Sequence, residues 1–224
     1  MTLATKSPRF LGGRGVRALV FAVVAAPLGY LFGKYLAGLE DAGVWTAPDL
    51  GWSDVLALFL ALLLSLVGLI TMAVSASRKT LGRQIDPERG RPANAAQASF
   101  HAVSGGVLVL AGVMMAAPVV VRTMFDPVPP MIASATMIGL VALLLVQTAG
   151  NISAWIRSDE MMRRATAEIS AITFVLLQGA LFLWGVGEKL GLLPALTLWD
   201  AATVMMAAYL IIATLVLWRR GLAA

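Results

Sequence analysis

The chain has 224 residues, of which 59% are hydrophobic and only 13% charged, with a net charge of +5 and a mean hydropathy of +0.86. Soluble globular domains carry roughly 25% charged residues, so this composition excludes an ordinary water-soluble domain and points to a membrane protein. The absence of cysteine excludes disulfides, thiolate nucleophiles and Cys-ligated clusters, and the single histidine, His101, excludes a bis-His haem.

A helix crossing the hydrocarbon core needs about 20 mostly apolar residues, because each adds about 1.5 Å. The first such stretch covers residues 17–37. It follows a basic tail with Lys6, Arg9, Arg14 and Arg17, as a signal peptide would. Its apolar run exceeds the roughly 7–15 residues of a signal sequence, so a retained helix is expected. Ala25, Gly29, Gly33 and Ala37 recur at every fourth position and make one face of this helix small. Such a face lets another backbone approach closely, in the same chain or in a second subunit. Pro27 should kink the helix.

An irregular external loop over 38–53 leads to a second span at 54–77. The following loop, 78–101, is rich in Arg and is broken by Pro87, Gly90 and Pro92 into a flexible turn region, although its second half, from Ala93, is able to start the next helix early. The third span, 102–122, carries a weaker small face at Gly105, Gly112 and Ala116, with His101 at its mouth. The stiff turn Phe125–Pro130 precedes the fourth span, 131–151. The fifth and sixth spans cover 169–187 and 200–218. Polar residues inside the spans are few: Gln147 and Asn151 in the fourth and Gln178 in the middle of the fifth are the main ones. No metal or cofactor motif is present. The Met114-Met115, Met161-Met162 and Met205-Met206 pairs point to different helix faces and read as apolar filler.

The densest motif stands between the fourth and fifth spans. It reads Arg157-Ser158-Asp159-Glu160 and continues through Arg163-Arg164 to Glu168. Ser158 is a suitable N-cap, Asp159 and Glu160 lie in the first turn where the helix dipole favours anions, and Asp159–Arg163, Glu160–Arg164 and Arg164–Glu168 are spaced as ion pairs. The fifth helix should therefore start near Asp159, ahead of its apolar stretch. One reading is a self-neutralised helix entrance. The others are a docking surface for a cytosolic partner or a site for lipid phosphate. This run, followed by a helical hairpin that ends in Arg219-Arg220, resembles small uncharacterised bacterial inner-membrane proteins with a similar cytosolic loop. The likeness covers roughly residues 151–220 and implies a membrane location but no particular activity.

Fourteen of the seventeen Lys and Arg residues fall in the tail, the second loop, the fourth loop and the C-terminus, leaving only Lys34, Arg122 and Lys189 on the other side. Positive charge marks the cytosolic side. The expected architecture is all-α: a polytopic bacterial inner-membrane protein with six transmembrane helices in three hairpins and both termini in the cytosol. The pI near 10.1 follows from this loop bias and does not indicate nucleic-acid binding. Three functions fit: a non-catalytic accessory or scaffold component of a membrane complex, an oligomeric transporter or channel for a small solute, or an interfacial enzyme acting on lipid. The first is favoured because no ionisable side chain is expected deep in a span. The expected partners are the lipid bilayer and either another membrane protein or further copies of the chain.

Overall fold

The structure, a computed structural model, describes residues 34, 50–85 and 91–221. Among the described residues there are helices but no strands. The helices are α1 (Trp52–Ser75), α2 (Arg78–Ile85), α3 (Ala95–Met124), α4 (Pro130–Arg157), α5 (Glu160–Lys189) and α6 (Leu198–Arg219). All except α2 are long and apolar enough to cross a membrane. By helix length and composition, this is a multi-pass membrane protein. Of the first expected span only Lys34 is among the described residues, and Ala25, Gly29, Gly33 and Ala37 lie outside them.

Local chemistry explains the helix boundaries. Asn94 and Gln97 form a reciprocal capping box, with Gln97 N–H donating to Asn94 Oδ1 at 2.7 Å and Asn94 N–H to Gln97 Oε1 at 3.0 Å. This cap sets the start of α3 at Ala95, in the loop half that had the potential to extend it. Pro130 occupies the first turn of α4, where its missing N–H costs nothing. Thr197 and Asp200 form the box that starts α6, at 3.1 and 2.9 Å. At the end of α5 the chain reverses through Gly191, whose φ of 70° is one that L side chains rarely adopt. The loop after α1 is more ordered than its Pro and Gly content suggests. Residues 78–85 form α2, and the segment after residue 90 returns to it. Ala93 N–H donates to the Arg78 carbonyl at 2.8 Å and Arg78 Nε donates to the Ala93 carbonyl at 2.7 Å.

The long helices alternate in direction. The closest packing is between α1 and α3, which run antiparallel. Their shared core consists of Ala57, Leu60, Ala61, Leu64, Ala111, Met115 and Val119. Two glycines make the approach possible. A Cβ placed on Gly68 would stand 2.6 Å from the Gly105 carbonyl oxygen, and one on Gly105 would stand 2.8 Å from that of Gly68. Gly112 faces Ala61 and Ser65 with equally little room. The weaker small face of the third span is thus a real helix–helix contact. From this pair, α4 packs on α3, with Gly150 against Val107, while α6 lies beside α1 and holds α5 as its hairpin partner. Although consecutive, α4 and α5 make no extended contact with each other, and no residue of α4 is buried.

This arrangement separates charge between the two ends of the bundle. Among the described residues, one end collects Arg78, Lys79, Arg83, Arg91, Arg157, Arg163, Arg164, Arg219 and Arg220 against Asp159, Glu160 and Glu168. The opposite end holds Asp54, Asp126, Glu188 and Asp200 against Arg122 and Lys189. These are called the basic and the acidic end below.

Candidate functional site

Because α4 and α5 splay apart after their shared joint, a groove of about 890 Å³ opens between the α3–α4 pair and the α5–α6 pair. Leu64, Leu108 and Ala111 from the packed core contribute to its lining, and Met205, Met206 and Leu210 of α6 line another part. Gln147 and Asn151, one helical turn apart and so on one face of α4, both reach it. Ser104, Thr166 and Tyr209 add hydroxyls. Trp155, Ser158 and Met162 line it toward the basic end. The volume lies within the range of small-molecule sites, and a mostly apolar wall with a few polar groups is their usual composition. Among the described lining residues none is Asp, Glu, Lys, Arg or His. The hydroxyl of Thr166 is already committed, donating to the Met162 carbonyl at 2.9 Å.

The joint itself is built from the charged run. Asp159, not Ser158, is the N-cap of α5: its Oδ1 accepts the Met162 N–H at 2.7 Å. Ser158 instead ends α4, with its hydroxyl donating to the Ala154 carbonyl at 2.8 Å. Arg163 does not close on Asp159 as its spacing suggests. Its guanidinium turns back and donates to the carbonyls of Trp155 and Ile156, at 3.1 and 2.7 Å, and thereby caps the end of α4. Only Glu160–Arg164 forms as expected, at 2.5 Å on a largely exposed surface. Glu168 pairs across the hairpin with Arg220 just past α6, which donates from Nε at 2.8 Å and also from its terminal nitrogen. Arg157 donates to the Ser99 hydroxyl and so ties α4 to α3. In this run Asp159 and Arg163 close helix ends, and Arg157 and Glu168 join helices.

At the acidic end, sequence reasoning missed a second polar contact. Asp54, in the first turn of α1, accepts the Trp199 indole N–H at 2.9 Å and fastens α1 to α6. Its other oxygen accepts the Gly51 N–H at 3.3 Å. Asp54, Asp200, Ser53 and Thr203 are all buried there. Among the described residues the Thr203 hydroxyl has no hydrogen-bond partner. The sequence signal was available in the two helix starts, each with an aspartate in its first turn and a tryptophan beside it. Nothing in their spacing, however, identifies which partner each one meets.

The remaining polar candidates lie elsewhere. Gln178 is exposed on α5 and does not line the groove, so it is not brought together with Gln147 and Asn151. His101 stands in a small recess with Ile70, Thr71, Val74, Leu81, Gln84 and Ile85, and no carboxylate is among the described residues that line it. Its ring meets Phe100 edge-on, with 5.3 Å between centroids. Among the described residues no three His, Cys, Asp or Glu side chains converge as metal ligands. No protein-family model matches the chain, no curated protein is similar to it, and no solved structure matches it.

Proposed function

We propose that the chain is a non-catalytic accessory or scaffold component of a membrane complex in the bacterial inner membrane, with its basic end in the cytosol and six spans once residues 17–37 are counted. The observation that carries this reading is the use of the charged run. Asp159 and Arg163 close helix ends, and Glu168 and Arg220 hold a hairpin together. Charges engaged in this way build a rigid helix entrance. They leave little of the free acid, base or phosphate-binding capacity that an interfacial enzyme would draw on. The excess of Lys and Arg at one end supports the cytosolic placement.

A second reading rests on the groove. Gln147 and Asn151 face an opening of small-molecule size, which supports uptake of a small neutral solute. Against it, Gln178, the third amide of the spans, lies away from the groove.

Purification from native membranes in mild detergent, with crosslinking and mass spectrometry, separates the two. A second protein recovered in fixed ratio is the result expected of an accessory subunit. Recovery with no other protein, alone or as several copies, would overturn that role. A small molecule retained in that sample and lost on Gln147→Leu would favour the solute reading.

A further inference from the structure

The connection between α1 and α3 builds a compact cationic platform. Ser77 caps the start of α2, its hydroxyl accepting the Thr80 N–H at 3.3 Å. Leu81 and Gly82 form the buried face of α2. The segment after residue 90 crosses that face at Gly82, where a Cβ would strike the Arg91 carbonyl and stand 2.7 Å from the Ala93 nitrogen. The clasp between Arg78 and Ala93 fixes the same segment at the start of the helix. Arg91 is thereby brought to the residue next to Arg83, a juxtaposition that local spacing does not reveal. Lys79 and Arg83, four residues apart, share one face of α2. Arg78, Lys79, Arg83 and Arg91 are all exposed.

This charge is not balanced by the chain. Among the described residues the ion pairs are Glu160–Arg164 and Glu168–Arg220, and neither involves the platform. Residues 1–39 contain no Asp or Glu, so the N-terminal part of the sequence brings further cations and no anion. Within 76–105 the carboxylates are Asp86 and Glu88, against Arg78, Lys79, Arg83, Arg89 and Arg91. Cations therefore stay in excess even if both acids pair with them. An anion from outside the chain is the means of balancing them.

The apolar surroundings identify its class. Leu69, Ile70 and Met72 are exposed in the last two turns of α1, so the platform stands where an apolar spanning helix ends. Beside it, Ile70 and Val74 of α1 and Leu81 and Ile85 of α2 line the recess of about 110 Å³ that also holds His101. Cations next to such a wall match a molecule with a phosphate and an acyl chain, and basic clusters beside a span attract anionic lipids. We propose that Lys79, Arg83 and Arg91 bind the phosphate group of an anionic membrane lipid, with the first part of an acyl chain in the recess. The proposal does not rest on the accessory role, so either can fail without the other.

Native mass spectrometry of the full chain in mild detergent, titrated with phosphatidylglycerol, tests this. The chain should hold phosphatidylglycerol far more tightly than zwitterionic phosphatidylethanolamine. Lys79→Gln combined with Arg83→Gln should weaken the first bound phosphatidylglycerol roughly 20- to 30-fold, from about fivefold per cation. Both side chains are exposed and outside the clasp, so helix content by circular dichroism should match the parent. Arg164→Gln combined with Arg219→Gln removes the same number of cations from the same end of the bundle and should leave the affinity unchanged. Ile85→Ser, which alters the recess and no charge, should weaken it. Failure to hold phosphatidylglycerol, equal affinity for the two lipids, or an equal loss in the two double variants would overturn the proposal. Displacement of the lipid by an equal concentration of glycerol phosphate would do the same, because the site would then be one for a soluble anion.

Discussion

Where α1 crosses α3, two glycines bring backbone against backbone and seven core side chains are buried between the helices. Where α4 turns into α5, the helices part, no α4 residue is buried, and the joint is closed by side chains bonded to backbone. One region is stabilised by shape and the other by a few directed polar bonds. In lipid this difference matters more than in water, because apolar area gains little by leaving one hydrocarbon environment for another. A pair that relies on close packing then tolerates almost no added volume. A joint that relies on capping should lose stability in small, separable steps.

Substitutions graded by expected effect sharpen the contrast. The largest loss is predicted for Gly105→Leu, which drives a side chain into the Gly68 carbonyl. Overpacking a core costs about 1–3 kcal/mol even where side chains can move, and backbone cannot move as far. Thermal melts in detergent should show that loss, whereas Gly106→Leu, with open space around it, should melt as the parent does. Next comes Asp54→Ala. It leaves the Trp199 indole N–H without its acceptor and should cost about 1–3 kcal/mol. Combining it with Trp199→Phe should recover part of the loss. Asp159→Ala should cost about 1 kcal/mol, as an N-cap does, and circular dichroism should show fraying confined to the first turn of α5. Arg164→Ala removes an exposed pair and should cost no more than about 0.5 kcal/mol. If Arg164→Ala proved more harmful than Gly105→Leu, the contrast between the two regions would be wrong.

Much of the fold is legible in the sequence because hydrophobic length marks a span without reference to tertiary partners. The expected second span, 54–77, differs from Trp52–Ser75 by two residues at each end, and the early start of α5 follows from its acidic first turn. Polar extensions are less visible: α4 continues to Arg157, well past the apolar stretch that ends near Asn151. The charged run shows where the reasoning stops. Four-residue spacing predicts Glu160–Arg164, a contact within one helix, but favours Asp159–Arg163 for the same reason. A guanidinium that can reach the unpaired carbonyls at the end of α4 gains more there than from an exposed carboxylate. Glu168–Arg220 and Asp54–Trp199 join residues far apart in the chain, and local spacing carries no information about them. Gln147 and Asn151 stand out as polar residues in a span, but the groove they face exists only because α4 and α5 separate.

The proposed function requires these helices to cross a bilayer with the basic end on the cytosolic side. Single cysteines in the cysteine-free chain, labelled with a membrane-impermeant maleimide, test that most directly. Asp126→Cys and Leu192→Cys, in the two loops at the acidic end, should react in intact cells. Thr80→Cys and Ser158→Cys, at the basic end, should react only after the membrane is opened. Labelling of Thr80→Cys and Leu192→Cys from the same side would contradict the spanning arrangement.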